Sequence, residues 1–148
     1  MEVCFAKIQC HKNNGTDRSL DQKATGYNEL LIVPGDPLGD IVPELAPIAD
    51  EIVVTKTTDS ALTGTNLRLI LHNMGIDTVV ATGVLTDQCV SGTVRSLADE
   101  SFKVWLVEDA CRASTAQIQA HELEILNNIY CHVVTTDELL AALDEARQ

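Results

Sequence analysis

Aromatic side chains are scarce in this chain: Phe, Trp and Tyr together make up 3% of the 148 residues. The hydrophobic fraction is nevertheless 45%, so aliphatic side chains must build the core of a globular protein. This length suits one domain with a core of its own, and no change in composition marks a linker. We therefore expect a single domain over residues 1–148.

Positive charge is also scarce. The chain has 10 Lys and Arg against 22 Asp and Glu, which gives a formal net charge of −12. Nucleic-acid binding needs a basic patch or stripe, and an anionic membrane surface attracts basic segments. The composition argues against both partners. No apolar run approaches the length of a membrane span, and no signal-peptide pattern occurs.

Cysteine pairs at metal-binding or redox spacing are absent. The count of five is odd, which does not suit the disulfide framework of a small secreted protein, and no CxxC pair occurs. Reduced thiols in the cytoplasm are therefore expected. A lone cysteine is most often a small buried hydrophobic residue, which is our interpretation of Cys4, Cys10 and Cys131. We favour the same interpretation for Cys111, with a place at the mouth of the site as the alternative.

From residue 51 onward, short apolar segments alternate with segments of helical periodicity. Several apolar segments lack the polar alternation of a half-exposed strand, which is typical of a parallel sheet covered on both faces. Before residue 51 the chain has a polar loop over residues 11–29 and a proline-rich connector with one helical turn near residues 41–45. Strands are predicted at residues 2–8, 52–56, 77–82, 103–107 and 131–134.

Four helices are predicted from capping residues and apolar periodicity. Gly75 ends the first helix, and capping boxes open the third and fourth. Val94 and Leu97 belong to the apolar face of the second helix, and Ile118, Ile125 and Ile129 share a face of the third. The expected caps, in chain order, are Asp59 or Ser60, Thr86 or Asp87, Ser114, and Thr135.

Residues 79–92 are the centre of the functional prediction. The pattern indicates a buried strand, a glycine-led turn and a helix with Cys89 in its first turn. Thr86 or Asp87 suits the N-cap. The free N–H groups and the positive end of the helix dipole stabilise a thiolate there. The same N–H groups can hold the oxyanion that forms when the thiolate attacks a carbonyl.

Three polar residues lie at the carboxyl ends of other predicted strands, where parallel sheets bind ligands. They are Lys56, Glu108 and Asp109. Each has a simpler interpretation: Lys56 is a solvated charge, and the two acidic residues cap and orient the following loop. His121 lies on the apolar face of its predicted helix, so we expect a packed, hydrogen-bonded side chain.

Four segments resemble the isochorismatase-like cysteine hydrolases. They are residues 55–67 (TKTTDSALTGTNL), 82–90 (TGVLTDQCV), 107–111 (VEDAC) and 121–122 (HE). The lysine segment and the cysteine turn are specific in combination. The resemblance implies a three-layer α/β/α fold with a mostly parallel, Rossmann-like sheet.

By residue match, the resemblance implies that Cys89 is the nucleophile and Lys56 its cationic partner. It places a cis peptide bond between Val84 and Leu85 and assigns the oxyanion hole to the backbone N–H groups of Leu85 and Cys89. A nearby ammonium group favours a thiolate, which attacks an amide carbonyl and forms an acyl-enzyme that water hydrolyses. Isochorismate-cleaving members generally lack the cysteine, so Cys89 favours C–N hydrolysis.

The implied substrate is a small amide or a carbamoyl or ureido compound, and no cofactor is implied. Nicotinamidase-type relatives bind a metal through an Asp-x-His pattern in an early loop. Cys10 and His11 do not match that pattern, so no metal is expected. Family members are commonly dimers or tetramers, which implies a homo-oligomer.

One part of the family pattern has no match in this sequence. The aspartate of the family's Cys-Lys-Asp triad ends a first strand, which would precede residues 3–8. A strand with its helix amounts to about 30 residues, so we expect the domain to be short at its N-terminus by that unit. The alternatives are a rearranged sheet and a strand that another chain supplies. The alternative function is a catalytically impaired relative that binds a small ligand or a partner subunit. A nucleotide-binding domain is less favoured, since neither GxGxxG nor GxxxxGK[ST] occurs.

Overall fold

The computed structural model describes residues 1–19 and 31–146. The chain divides into two compact units, Met1–Leu67 and Arg68–Gln148, and each is described by itself. A two-stranded parallel sheet lies in the first unit and a three-stranded parallel sheet in the second. The chain therefore has the α/β fold, with parallel sheets and helices, as the alternating sequence pattern predicts.

The first unit is built on two paired strands. Strand β1 (Cys4–Ile8) pairs in parallel with β2 (Ile52–Lys56), from Cys4 beside Ile52 to Ile8 beside Lys56. The proline-rich connector forms two 3₁₀ turns, Pro37–Gly39 and Pro43–Leu45, and the second lies in the segment where one helical turn is predicted. Of the predicted loop, residues 11–19 are irregular and residues 20–29 lie outside the described residues.

The second unit alternates helices and strands along the chain. Its sheet has the strand order β3-β4-β5. The strands are β3 (Thr78–Val84), β4 (Lys103–Arg112) and β5 (His132–Val134). The helices are α1 (Leu67–Asn73), which crosses the boundary between the units, α2 (Ser91–Asp99), α3 (Ala116–Ile129) and α4 (Thr136–Glu145).

The core of the second unit is aliphatic, as the composition predicts. Leu106 and Val107 of β4 are adjacent in sequence and both almost fully buried, so this strand is covered on both faces. The predicted apolar face of α2 is also buried, with Val94 and Leu97 at 0% and 2% exposure. Helix α2 packs on β4 and α3 packs on α2. Leu126 is the fully buried residue of α3.

The predicted start of α1 is wrong. The helix begins at Leu67, several residues after Asp59 and Ser60. The Ser60 hydroxyl accepts instead from the Leu62 N–H in a local turn (3.2 Å), while the Thr65 hydroxyl accepts from the Leu67 N–H (3.2 Å). Serine and threonine side chains form such local bonds in non-helical backbone as readily as at caps. The end of α1 matches the prediction, because Gly75 adopts a φ of +67°.

The two predicted capping boxes have different outcomes. The cap of α3 is Thr115, whose hydroxyl accepts from the Ile118 N–H at 3.1 Å, so the predicted box at Ser114 is wrong by one residue. The box that opens α4 is confirmed. Thr135 accepts from the Glu138 N–H, and the Glu138 carboxylate accepts from the Thr135 N–H at 2.8 Å. These hydrogen bonds lower the pKa of Glu138.

The isoleucines of α3 face solvent. Ile118, Ile125 and Ile129 are 38%, 49% and 70% exposed, and His121 beside them is exposed as well. The prediction of a packed histidine is therefore wrong. The three isoleucines do share a face, but the inward face is the one that carries Leu126.

Core packing through α3 gives a first testable expectation. We expect Leu126→Ala to lower the free energy of unfolding by about 2–5 kcal/mol, because it removes buried methyl groups and leaves a cavity. Ile129→Ala on the same helix should change it by less than about 0.5 kcal/mol, since the side chain is mostly exposed. Urea unfolding followed by circular dichroism measures both. Equal unfolding midpoints for the two variants would contradict this assignment of the core.

Candidate functional site

The chain segment before Cys89 leaves the sheet later than predicted. Strand β3 continues past Thr82 to Val84, so Gly83 lies inside the strand. Gly83 has a φ of +122°, a conformation that residues with a side chain rarely adopt. The peptide bond between Val84 and Leu85 is cis, at the position that the resemblance names.

Cys89 lies in a π-helical turn, Thr86–Val90, that leads into α2. The Val90 N–H donates to the Leu85 carbonyl at 3.2 Å, five residues back, which is the spacing of a π-helix. Leu85 occupies the cap position without a side-chain bond. Wide turns of this kind occur often at functional sites.

Neither Thr86 nor Asp87 caps this turn, so that prediction is wrong. Thr86 is fully buried. Among the described residues, its hydroxyl and one carboxylate oxygen of Asp87 have no hydrogen-bond partner. The capping prediction assumed an α-helix that opens at this point, whereas the first turn has the wider π-helical geometry.

The nucleophile candidate itself is half-buried. Cys89 has intermediate exposure, and its carbonyl oxygen accepts from the Thr93 hydroxyl at 2.7 Å. Val90 beside it is buried at 6% exposure and so fixes one side of the turn. The residue that carries the candidate nucleophile is therefore neither fully enclosed nor fully exposed.

The end of β4 differs from the prediction. The strand continues past Val107 to Arg112, and its register with β3 shifts between Ala81 and Gly83, so Glu108 and Asp109 lie within the strand. One oxygen of Asp109 accepts from both the N–H and the hydroxyl of Thr136 at 2.9 Å, which anchors the first turn of α4. An open cleft lies at this end of the strand; its lining residues are Val84, Glu108, Asp109, Ala110, Cys111, Arg112 and Gln119.

Lys56 is not the solvated lysine of the simpler interpretation. It is the last residue of β2 and only 4% exposed. Its ammonium group donates to the Thr58 carbonyl at 3.0 Å. Burying a charge is costly unless polar groups surround it, so a buried ammonium group at a strand's carboxyl end is a candidate functional group of the first unit.

The four other thiols are disfavoured as thiolates. Burial raises the pKa of Cys111 to about 11, against a smaller opposing effect of the Gly83 N–H, which donates to the sulfur. Burial likewise raises the pKa of Cys131 to about 11. The pKa values of Cys4 and Cys10 are also raised, chiefly by burial. This agrees with the interpretation of these cysteines as small hydrophobic residues.

Sequence reasoning missed a polar cluster behind the Cys89 turn. The side chains of Ser91 and Arg95 on α2 contact that of Glu122 on α3. The spacing of four residues between Ser91 and Arg95 places both on one face of α2. Only the folded chain brings Glu122 to them.

The described residues show neither a metal-binding cluster nor a helix that could span a membrane. Within residues 1–19 and 31–146, no group of three or more His, Cys, Asp or Glu side chains is arranged to hold a metal ion. In the same part of the chain, the helices are too short or too polar to cross a membrane.

The comparisons with known proteins agree on one family. The isochorismatase domain model matches residues 1–138. The isochorismatase family protein YrdC of Bacillus subtilis is 34% identical over 105 residues, which cover 64% of this chain and 56% of that protein. N-carbamoylsarcosine amidase of an Arthrobacter species is 30% identical over 147 residues, which cover 97% of this chain and 56% of that protein. This chain thus spans little more than half the length of either relative.

Among solved structures, an isochorismatase-like hydrolase from Alkaliphilus metalliredigens is similar to this chain with a TM-score of 0.80 at 30% identity. The match covers 95% of this chain and 69% of that one. The structural match thus extends over nearly all of the chain, and the residues matched by the family model include Cys89.

The raised thiol pKa values give a second testable expectation. At pH 8 the thiolate fraction of Cys111 and Cys131 is on the order of one in a thousand, because each pH unit below the pKa lowers it tenfold. Their alkylation by iodoacetamide should therefore be slow at pH 8 and rise about tenfold per pH unit toward pH 10. Site-resolved mass spectrometry under native conditions measures the rates. Fast labelling of either residue at pH 7 would contradict the buried environment described above.

Proposed function

Because the chain belongs to the isochorismatase family, we propose that it is a cysteine-dependent hydrolase that cleaves the C–N bond of a small amide, carbamoyl or ureido compound. The observation that carries the proposal is the half-buried Cys89 on a π-helical turn directly after β3. N-carbamoylsarcosine amidase, which aligns with 97% of this chain, supports a C–N bond as the target.

In the proposed reaction, the sulfur of Cys89 attacks the carbonyl carbon of the substrate. A C–S bond forms, and the carbonyl oxygen takes up negative charge that the backbone N–H groups of Leu85 and Cys89 stabilise. The C–N bond then breaks, and the thiol proton ends on the leaving nitrogen. Water hydrolyses the resulting thioester, which releases the acid and restores the thiol.

Lys56 is the proposed cationic partner of the nucleophile. A buried ammonium group favours a thiolate over a thiol in its vicinity, and burial strengthens that effect because little water screens the charge. This role needs a lysine that is held in place, which the strand-end position and the bond to the Thr58 carbonyl support.

The role of Cys89 is tested by its removal. Cys89→Ala should lower turnover of a panel of primary amides, N-carbamoyl amino acids and ureido acids by at least about 1,000-fold, because no other group supplies the nucleophile. Ammonia release is the measurement, and Cys4→Ala, which changes a half-buried thiol of β1, is the matched control. Undiminished ammonia release from Cys89→Ala would overturn the proposal. Ligand binding without turnover by the parent protein would favour the catalytically impaired relative.

The role of Lys56 is tested by Lys56→Met, which keeps the length of the side chain and removes the charge. We expect kcat to fall by about 100-fold or more, since the thiolate loses its stabilising cation. The exposed Lys12 of the same unit provides the control variant Lys12→Met. Circular dichroism confirms that both variants fold. If kcat of Lys56→Met stays within about twofold of the parent, a change of less than ~0.5 kcal/mol, Lys56 has no such role.

A further inference from the structure

Three side chains behind the Cys89 turn form a closed hydrogen-bonded ring. Ser91 of α2 donates from its hydroxyl to Glu122 of α3. Arg95, one turn further along α2, donates from Nε to the Ser91 hydroxyl at 3.1 Å and from Nη2 to Glu122 Oε1 at 2.9 Å. Each of the three side chains therefore contacts the other two.

The ring is largely removed from water. Ser91 is 6% exposed, and the side chains of Arg95 and Glu122 are 34% and 16% exposed. The Arg95 guanidinium also lies over the Tyr130 ring, 4.5 Å from its centre. Burial by itself lowers the pKa of Arg95, but interactions with Glu122 and Tyr130 raise it above its ordinary value, so the guanidinium keeps its charge.

Stability alone does not explain a partly buried ring of this kind, because solvent weakens an ion pair that is partly exposed. Desolvation cancels much of the attraction in a buried ion pair, and apolar residues of similar volume are often at least as stabilising. What such a ring supplies is a fixed geometry, because its hydrogen bonds accept only a narrow range of positions.

Ser91, a member of the ring, also closes the turn that carries Cys89. The backbone N–H of Ser91 donates to the carbonyls of Thr86 and Gln88, which are residues of the π-helical turn. Helix α3, which carries Glu122, also contacts this turn. The position of the Ser91 backbone therefore sets how the turn closes, and the Ser91 side chain ties that position to α3.

We propose that Ser91, Arg95 and Glu122 are positioning residues that hold the Cys89 turn in its reactive geometry. The proposal rests on the function proposed above, in which the thiol and the backbone N–H groups of this turn act on the substrate. Donors and nucleophiles must be held to within about 0.5 Å of their productive positions, and a displacement of about 1 Å costs on the order of 100-fold in rate. The turn is closed by backbone bonds from the Ser91 N–H, so its geometry depends on where Ser91 is held.

The test compares variants of Arg95 with variants of a second arginine on the same unit. Arg68 pairs with Glu100 at 3.3 Å, at the opposite end of α2, and both side chains are exposed. The test set is Arg95→Met and Arg95→Lys, and the control set is Arg68→Met and Arg68→Lys. Steady-state ammonia release, thermal unfolding and the rate of Cys89 alkylation are measured for all four variants and the parent.

We expect Arg95→Met to lower kcat by about 100-fold while KM stays within about threefold, because the ring orients the nucleophile and does not touch the substrate. Arg95→Lys should unfold at a higher temperature than Arg95→Met and close to that of the parent, since its ammonium group can still pair with Glu122. It should not recover kcat, because a single ammonium group cannot reproduce the two-pronged contact with Ser91 and Glu122. Both Arg68 variants should stay within about twofold of the parent.

The outcomes separate this proposal from the proposed function. If Cys89→Ala is inactive and the Arg95 variants keep kcat within about threefold of the parent, the function stands and the positioning role is wrong. If Arg95→Lys recovers kcat together with stability, the ring is merely structural and the proposal is again wrong.

If the parent releases no ammonia, the alkylation rates decide. Cys89 labelling that is about tenfold slower in both Arg95 variants than in the Arg68 variants supports the proposal, and equal labelling rates overturn it.

Discussion

The other two strands of residues 68–146 and two of the helices are placed by the burial of β4. Val104, Leu106 and Val107 of this strand are at most 2% exposed, and each side chain of this size contributes about 1.5–3 kcal/mol when it is fully removed from water. Strands β3 and β5 pair with its two edges, and α2 and α4 pack against it. Because the strands are parallel, their carboxyl ends lie together, and the Cys89 turn begins where β3 ends.

This dependence explains which parts of the fold can be predicted from the sequence. Apolar runs and helical periodicity report burial directly, so the existence and order of the strands and helices follow from them. The face of α2 that carries Val94 and Leu97 is one example, and the capping box at Thr135 is another, because all of its partners are close in sequence. The choice between Ser114 and Thr115 as a cap is decided by backbone geometry that their similar side chains do not reveal. The extension of β4 to Arg112 depends on its pairing with β3, which lies far away in sequence.

The candidate site likewise combines features that the sequence predicts with features that only the folded chain reveals. The sequence indicates that Cys89 follows a buried strand and begins a helix. The strand and the turn lie there, but the prediction of burial is wrong, since every residue of β3 is partly or fully exposed. The π-helical geometry of the turn and the burial of Thr86 come from tertiary packing, which local propensity does not encode. The ring around Arg95 is the clearest case. Glu122 is separated by 31 positions from Ser91, and its carboxylate is an unremarkable charge until α3 packs beside α2.

Ser91 takes part in two structural features, the π-helical turn and the hydrogen-bonded ring. Its backbone N–H completes the turn before it, and its hydroxyl is shared with a helix that comes much later in the chain. The first contact needs only a peptide group, which any residue except proline provides. The second needs a small hydroxyl side chain together with both of its charged partners. In relatives, positions 91, 95 and 122 should therefore be retained together or replaced together, whereas position 88 is free of that joint restriction.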